Sequence, residues 1–128
     1  MPFPPEYSST VFLLVDSPSP LPASFAIITA WNPMDRRTSA EENQAADEDL
    51  KSCLENSGVI HFRATGCSPD LVHREEGWAA AISKSDALDL GRQFDQRAIW
   101  WIEGDELHLI RCADGHSEML GSFSSRLV

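Results

Sequence analysis

The stretch "ITAWNPMDRRTSAEEN" (28–43) runs from the end of an apolar segment into the start of a helix. Its upstream half, "SFAIITAW" (24–31), is β-rich and apolar at consecutive positions, the pattern of a central strand covered on both faces. Asn32-Pro33 ends it, because proline withdraws a backbone donor and holds its predecessor extended. The helix that follows is marked by a capping box, either Thr38 with Glu41 or Ser39 with Glu42, and its first-turn glutamates suit the positive end of the helix dipole. The question is what Trp31, Asn32 and Pro33 do at this junction: hold a turn, or hold a ligand.

Working outward, the helical stripe Ala46, Leu50, Cys53 and Leu54 ends at Asn56-Ser57-Gly58. "GVIHFRAT" (58–65) reads as a second strand, "GCSPDLVHREE" as a loop and "GWAAAIS" (77–83) as a third strand. Ser83 with Asp86 caps a second helix whose buried stripe is Ala87, Leu90, Gly91 and Phe94. "RAIWWIE" and "DELHLIRC" form two strands joined by a tight turn at Glu103-Gly104, and "EMLGSF" offers one short strand more. Prolines at 4, 5, 18, 20 and 22, with Pro2, make residues 1–23 an arm with one short strand at Thr10 to Val15, ahead of a single α+β domain at 24–128. From residue 24 the order is β-α-β-β-α-β plus a C-terminal strand. This predicts a ferredoxin-like two-layer sandwich, two helices on one face of a mainly antiparallel sheet.

Ten basic against twenty acidic residues give a formal charge of -10. That field repels phosphate backbones and anionic membrane surfaces, so neither nucleic acid nor membrane is expected as a partner. Three cysteines without a C-x-x-C pair read as reduced thiols, and the N-terminal apolar run is too short for a signal core, so a cytoplasmic location is expected. The histidines and cysteines lack metal-ligand spacing, and no phosphate loop or nucleophile motif occurs, so no metal or other cofactor is expected.

In the expected topology, Trp31, Asn32, Arg36, Asn43, Gln96 and Arg97 gather at one sheet edge. Counting 43, 46, 50, 53/54 puts Asn43 on the apolar stripe, where a buried amide needs partners. Either it fixes the Asn32-Pro33 loop, or Asn32, Asn43 and Gln96 present amides into a small polar pocket walled by Trp31. Arg36 lies near a helix N-terminus that suits an anion, although Asp35, Glu41 and Glu42 compete for it. A second cluster, "HREEGW" (73–78), offers Glu75 and Glu76 as acid/base candidates. With the first and third strands taken as parallel, that cluster falls at the opposite end of the sheet. Trp100 and Trp101 point to opposite faces. The indole on the face without helices is left for a dimer interface or for cover by the N-terminal arm.

"ITAWNP", Glu42-Asn43, the later Glu75-Glu76 and "GRQFDQRAIWW" resemble the bacterial domain-of-unknown-function family 3293 over roughly residues 24–112. Its members show T-A-x-N-P, then S-x-x-x-N (here Ser39 to Asn43), then F-G-Q (here Phe94-Asp95-Gln96, with Asp95 in place of the glycine). The resemblance implies that Asn32, Asn43 and Gln96 are signature residues and implies no activity. Three functions are therefore expected to compete. One is a binding or regulatory module for a small polar ligand or a protein partner. Another is an enzyme using Glu75 or Glu76 with Arg97 or Arg36. The last is an interaction protein using the open sheet face.

Overall fold

The computed structural model describes residues 3–128; Met1 and Pro2, at the start of the Pro-rich arm, lie outside them. Seven strands form one sheet: β1 (Val11–Val15), β2 (Ser24–Thr29), β3 (His61–Cys67), β4 (Arg74–Ala80), β5 (Ala98–Glu103), β6 (Glu106–Arg111) and β7 (Ser117–Ser122). Two helices interrupt them, α1 (Ala40–Ser57) and α2 (Lys84–Gln93). The spatial order is β1-β3-β4-β2-β5-β6-β7, and every neighbouring pair is antiparallel.

Local signals account for the elements. The Ser39 side chain caps α1 by accepting the Glu42 N–H, and Gly58 closes it in the left-handed region (φ 68). Ser83 caps α2 in the same way through Asp86 N–H. Gly104 (φ 62) opens the two-residue turn between β5 and β6.

The ferredoxin-like sandwich is not what these elements build. The sheet carries β1 on one side and β6 and β7 on the other, and it curls into a half-barrel with its two ends drawn together. The C-terminal segment reaches across: Leu127 bridges Phe12, and Val128 N–H donates to the Phe12 carbonyl. The cause is a second core. Ala26, Ile28, Leu50, Leu54, Trp101 and Ile110 pack on the helix side. Phe12, Phe25, Phe62, Trp100, Leu107 and Phe123 pack together on the other face. Burying that many rings is worth far more than leaving the face wet, since each contributes roughly 1.5–3 kcal/mol. A flat sheet with one covered face has no place for them.

Two further expectations are narrowed by this, the first in favour of cover by the N-terminal arm. The indole of Trp100 is not exposed: Tyr7 and Phe12 meet it edge-on at 5.9 and 5.1 Å, and it is 9% accessible. The segment read as a loop, 66–76, narrows to residues 68–73, with strand on both sides. Its polar run Arg74-Glu75-Glu76 pairs with Cys67, Gly66 and Thr65 of β3. Among the described residues, no helix is long and apolar enough to cross a membrane.

Candidate functional site

β2 ends against the start of β4, because the two strands are antiparallel neighbours with Thr29 opposite Gly77. The parallel arrangement expected from the sequence is thus wrong. The "HREEGW" cluster and the Asn32 loop meet at the same end of the sheet. Gly77 permits the contact: a Cβ there would lie 2.6 Å from the Ile28 carbonyl oxygen.

Asn32 is the hub. Its amide N–H donates to Asn43 Oδ1 (3.0 Å), and its own Oδ1 accepts from Thr38 N–H (3.1 Å) and Asn43 Nδ2 (3.2 Å). Its Nδ2 donates to Glu75 Oε2 at 2.8 Å. The Thr38 hydroxyl adds a further bond to Asn43 Oδ1. Asn43 and Gln96 are 5% and 8% accessible, so these bonds replace water rather than compete with it. Gln96 Nε2 donates to the carbonyls of Trp31 (3.1 Å) and Phe94 (3.2 Å). The amides therefore face one another and the backbone, while the Trp31 indole N–H is buried without a partner.

This bonding holds a costly conformation. Asn32, Met34, Asp35 and Asp95 all sit at φ between 48 and 62, where a non-glycine residue costs about 1 kcal/mol or more. Met34 N–H donates to the Asp95 carbonyl at 2.7 Å, tying the loop after β2 to the turn after α2.

Charged groups close the other side. Asp35 pairs with Arg97 and accepts the Tyr7 hydroxyl at 2.7 Å. Burial and the Asp35 carboxylate push the Tyr7 phenol well above its ordinary range. Burial raises Glu75 as well, with Asp35 adding to the rise and the Asn32 amide opposing it. Arg97 is held charged by the Asp35 bond. Glu76 contributes its carbonyl, which takes the Thr29 hydroxyl at 2.7 Å, and its side chain is exposed. Arg36 is exposed and bonds only weakly to the Pro33 carbonyl, at 3.4 Å, away from this network. Among the described residues, no group of three His, Cys, Asp or Glu side chains is placed to hold a metal.

Beside the network, α1 and α2 leave a cleft of about 570 Å³ over the end of β2. Pro33 of the loop walls it, with Ala30, Ala46, Phe94, Asp49, Cys53 and Asp95 around it. The model for the family described as Protein of unknown function (DUF3293) matches residues 28–99, more than half of the chain, and this span contains the network and the cleft together. The chain belongs to the DUF3293 family. No curated protein and no solved structure matches it.

Sequence reasoning on this DUF3293 chain missed three participants. Tyr7 comes from the arm, and nothing local announces a contact with Asp35. Asp49 and Asp95 are exposed, and only the placement of the helices puts them beside the same cleft. A fourth missed residue was legible in principle: Asp47 lies on the same helical stripe as Asn43 and Leu50. Arg63 neutralises it through paired bonds of 2.8 and 3.0 Å while stacking over Trp78 at 3.9 Å.

Proposed function

We propose that this protein is a binding module whose small ligand sits in the cleft between α1 and α2. The observation that carries the proposal is the cleft's size and position. About 570 Å³ falls within the range of ligand sites, between helices, where such sites recur. Its wall is the loop that the Asn32–Asn43 network holds in shape. In this account the amides do not touch the ligand; they keep Pro33 and Asp95 where the ligand needs them. The test is a thermal-shift screen over nucleotides, amino acids, amines and metals on the wild type and on Ala46→Phe, which fills the cleft. A ligand that stabilises the wild type and not the variant supports the proposal. Ligands that stabilise both equally count against it.

A second reading, acid–base chemistry at Glu75, is favoured by one observation. The carboxyl is half-buried, raised above its usual range, and faces an oriented amide beside the Tyr7–Asp35–Arg97 group.

A further inference from the structure

We infer that the cleft takes a small organic cation, an amine carried on a compact apolar body. This rests on the cleft being the binding site, and it adds the chemical class of what enters.

Four of the residues that line the cleft give it an apolar side. Ala30 is buried, Ala46 and Phe94 are half-buried against the helix-side core, and Pro33 adds a rigid ring. Such surface favours a hydrocarbon body over a water-filled polar one. The charged groups that line the cleft are Asp49, from α1, and Asp95, from the turn after α2; among the described residues no Lys, Arg or His lines it. Ser52, Cys53 and Gln93 supply only neutral polar atoms.

Six other aspartates are engaged elsewhere, while Asp16 and Asp86, among the described residues, are free like these two but lie outside the cleft. Asp35, Asp47, Asp70, Asp89, Asp105 and Asp114 each have a side-chain partner. Among the described residues, Asp49 and Asp95 have neither an ion pair nor a side-chain hydrogen bond. Asp95 is also held in place. Its N–H donates to the Arg92 carbonyl and its own carbonyl accepts from Met34 N–H. It occupies φ 54, a position that suits glycine better than a side chain, so a carboxylate stands there despite a conformational cost. A phosphate or carboxylate ligand would meet two unpaired negative charges and no compensating donor of positive charge. An ammonium meets two acceptors, in the field of a chain of charge -10.

The experiment is an NMR titration of the uniformly ¹⁵N-labelled protein with three probes of one shape: benzylamine, benzyl alcohol and benzoate. Exposed ion pairs contribute a factor of about 2 to 5 each, so benzylamine should bind about 5- to 20-fold more tightly than benzyl alcohol, with benzoate weakest. Amide shifts should centre on residues 46–53 and 93–95. Raising the salt to about 0.5 M should narrow the gap. The variant Asp49→Asn/Asp95→Asn, in which asparagine tolerates the left-handed position, should bind the three alike. Equal binding of all three to the wild type, or preference for benzoate, overturns the inference and leaves the cleft as a site. Absence of any shift at the cleft removes the site, and the inference with it.

Discussion

Replacing Asn43 with alanine tests whether the amide network shapes the loop. The substitution deletes the acceptor of Asn32 N–H and the donor to Asn32 Oδ1, at 3.0 and 3.2 Å, in a place only 5% accessible. Asn32 Oδ1 keeps Thr38 N–H as a partner, so the main cost is one orphaned backbone donor at a residue already in the left-handed region. That penalty is about 1–3 kcal/mol. Unfolding entropy of about 2.1 cal/mol/K per residue gives roughly 0.27 kcal/mol/K for this chain, so a central loss of about 2 kcal/mol lowers the melting midpoint by about 7 °C. Circular dichroism melts of Asn43→Ala and of Gln44→Ala, an exposed neighbour on the same helix, measure it. Amide exchange in residues 32–38 should quicken only in the first. Equal midpoints for the two variants would refute the structural role given to Asn43.

Three other outcomes are expected. Gly77→Ala drives a Cβ to 2.6 Å from one backbone oxygen and 3.2 Å from another, in strands that cannot yield; urea denaturation should show a loss at or above the upper end of the usual 1–3 kcal/mol for overpacking. For Glu75, the folded pKa lies above the unfolded one, so the folded state holds this proton more tightly. Its contribution is present at low pH and is lost as pH rises through the raised value. Glu75→Gln keeps an acceptor for the Asn32 amide, so its midpoint should match the wild type near about pH 4 and rise above it towards about pH 7; parallel curves would contradict the burial of that charge. Finally, Cys67 and Cys112 are buried, and burial pushes the Cys112 thiol up to about 11, whereas Cys53 is half-exposed. Iodoacetamide followed by peptide mass spectrometry should find Cys53 alkylated first in the native protein, and equal labelling of all three would refute it.

What could be read from the sequence was what local chemistry dictates. Ser39 and Ser83 announce helix starts, Gly58 a stop, Gly104 a hairpin, and the 3.6-residue count places Asn43 on a buried face. What could not be read was set by partners far along the chain. Arg74-Glu75-Glu76 has the composition of a loop, and it is a strand because β3 offers Cys67, Gly66 and Thr65 to pair with it. The direction of β2 relative to β4 leaves no trace in either segment, yet it decides whether Glu75 and Asn32 meet. The curl depends on Phe12 and Phe123, from opposite ends of the chain, sharing one core with Trp100. Trp100 was legible as a residue needing cover, and its cover came from the arm. The Asp49 and Asp95 pair belongs to the same category, since only helix placement brings those carboxylates to one opening.

The position of β2 carries a mechanical implication. It has a hydrogen-bonded strand on each side and a packed core on each face, so its amides should be among the slowest in the protein to exchange with solvent. The Asn32 loop is the direct continuation of that strand and is stapled to the turn at Asp95. The wall of the cleft is therefore its stiff part. α1 and α2 rest on the sheet through side chains and share no ladder bonds with it. Each helix is also tied to this loop at one end, α1 through Asn43 and α2 through the Asp95 turn, so shear between the two helices is left to the ends away from the loop.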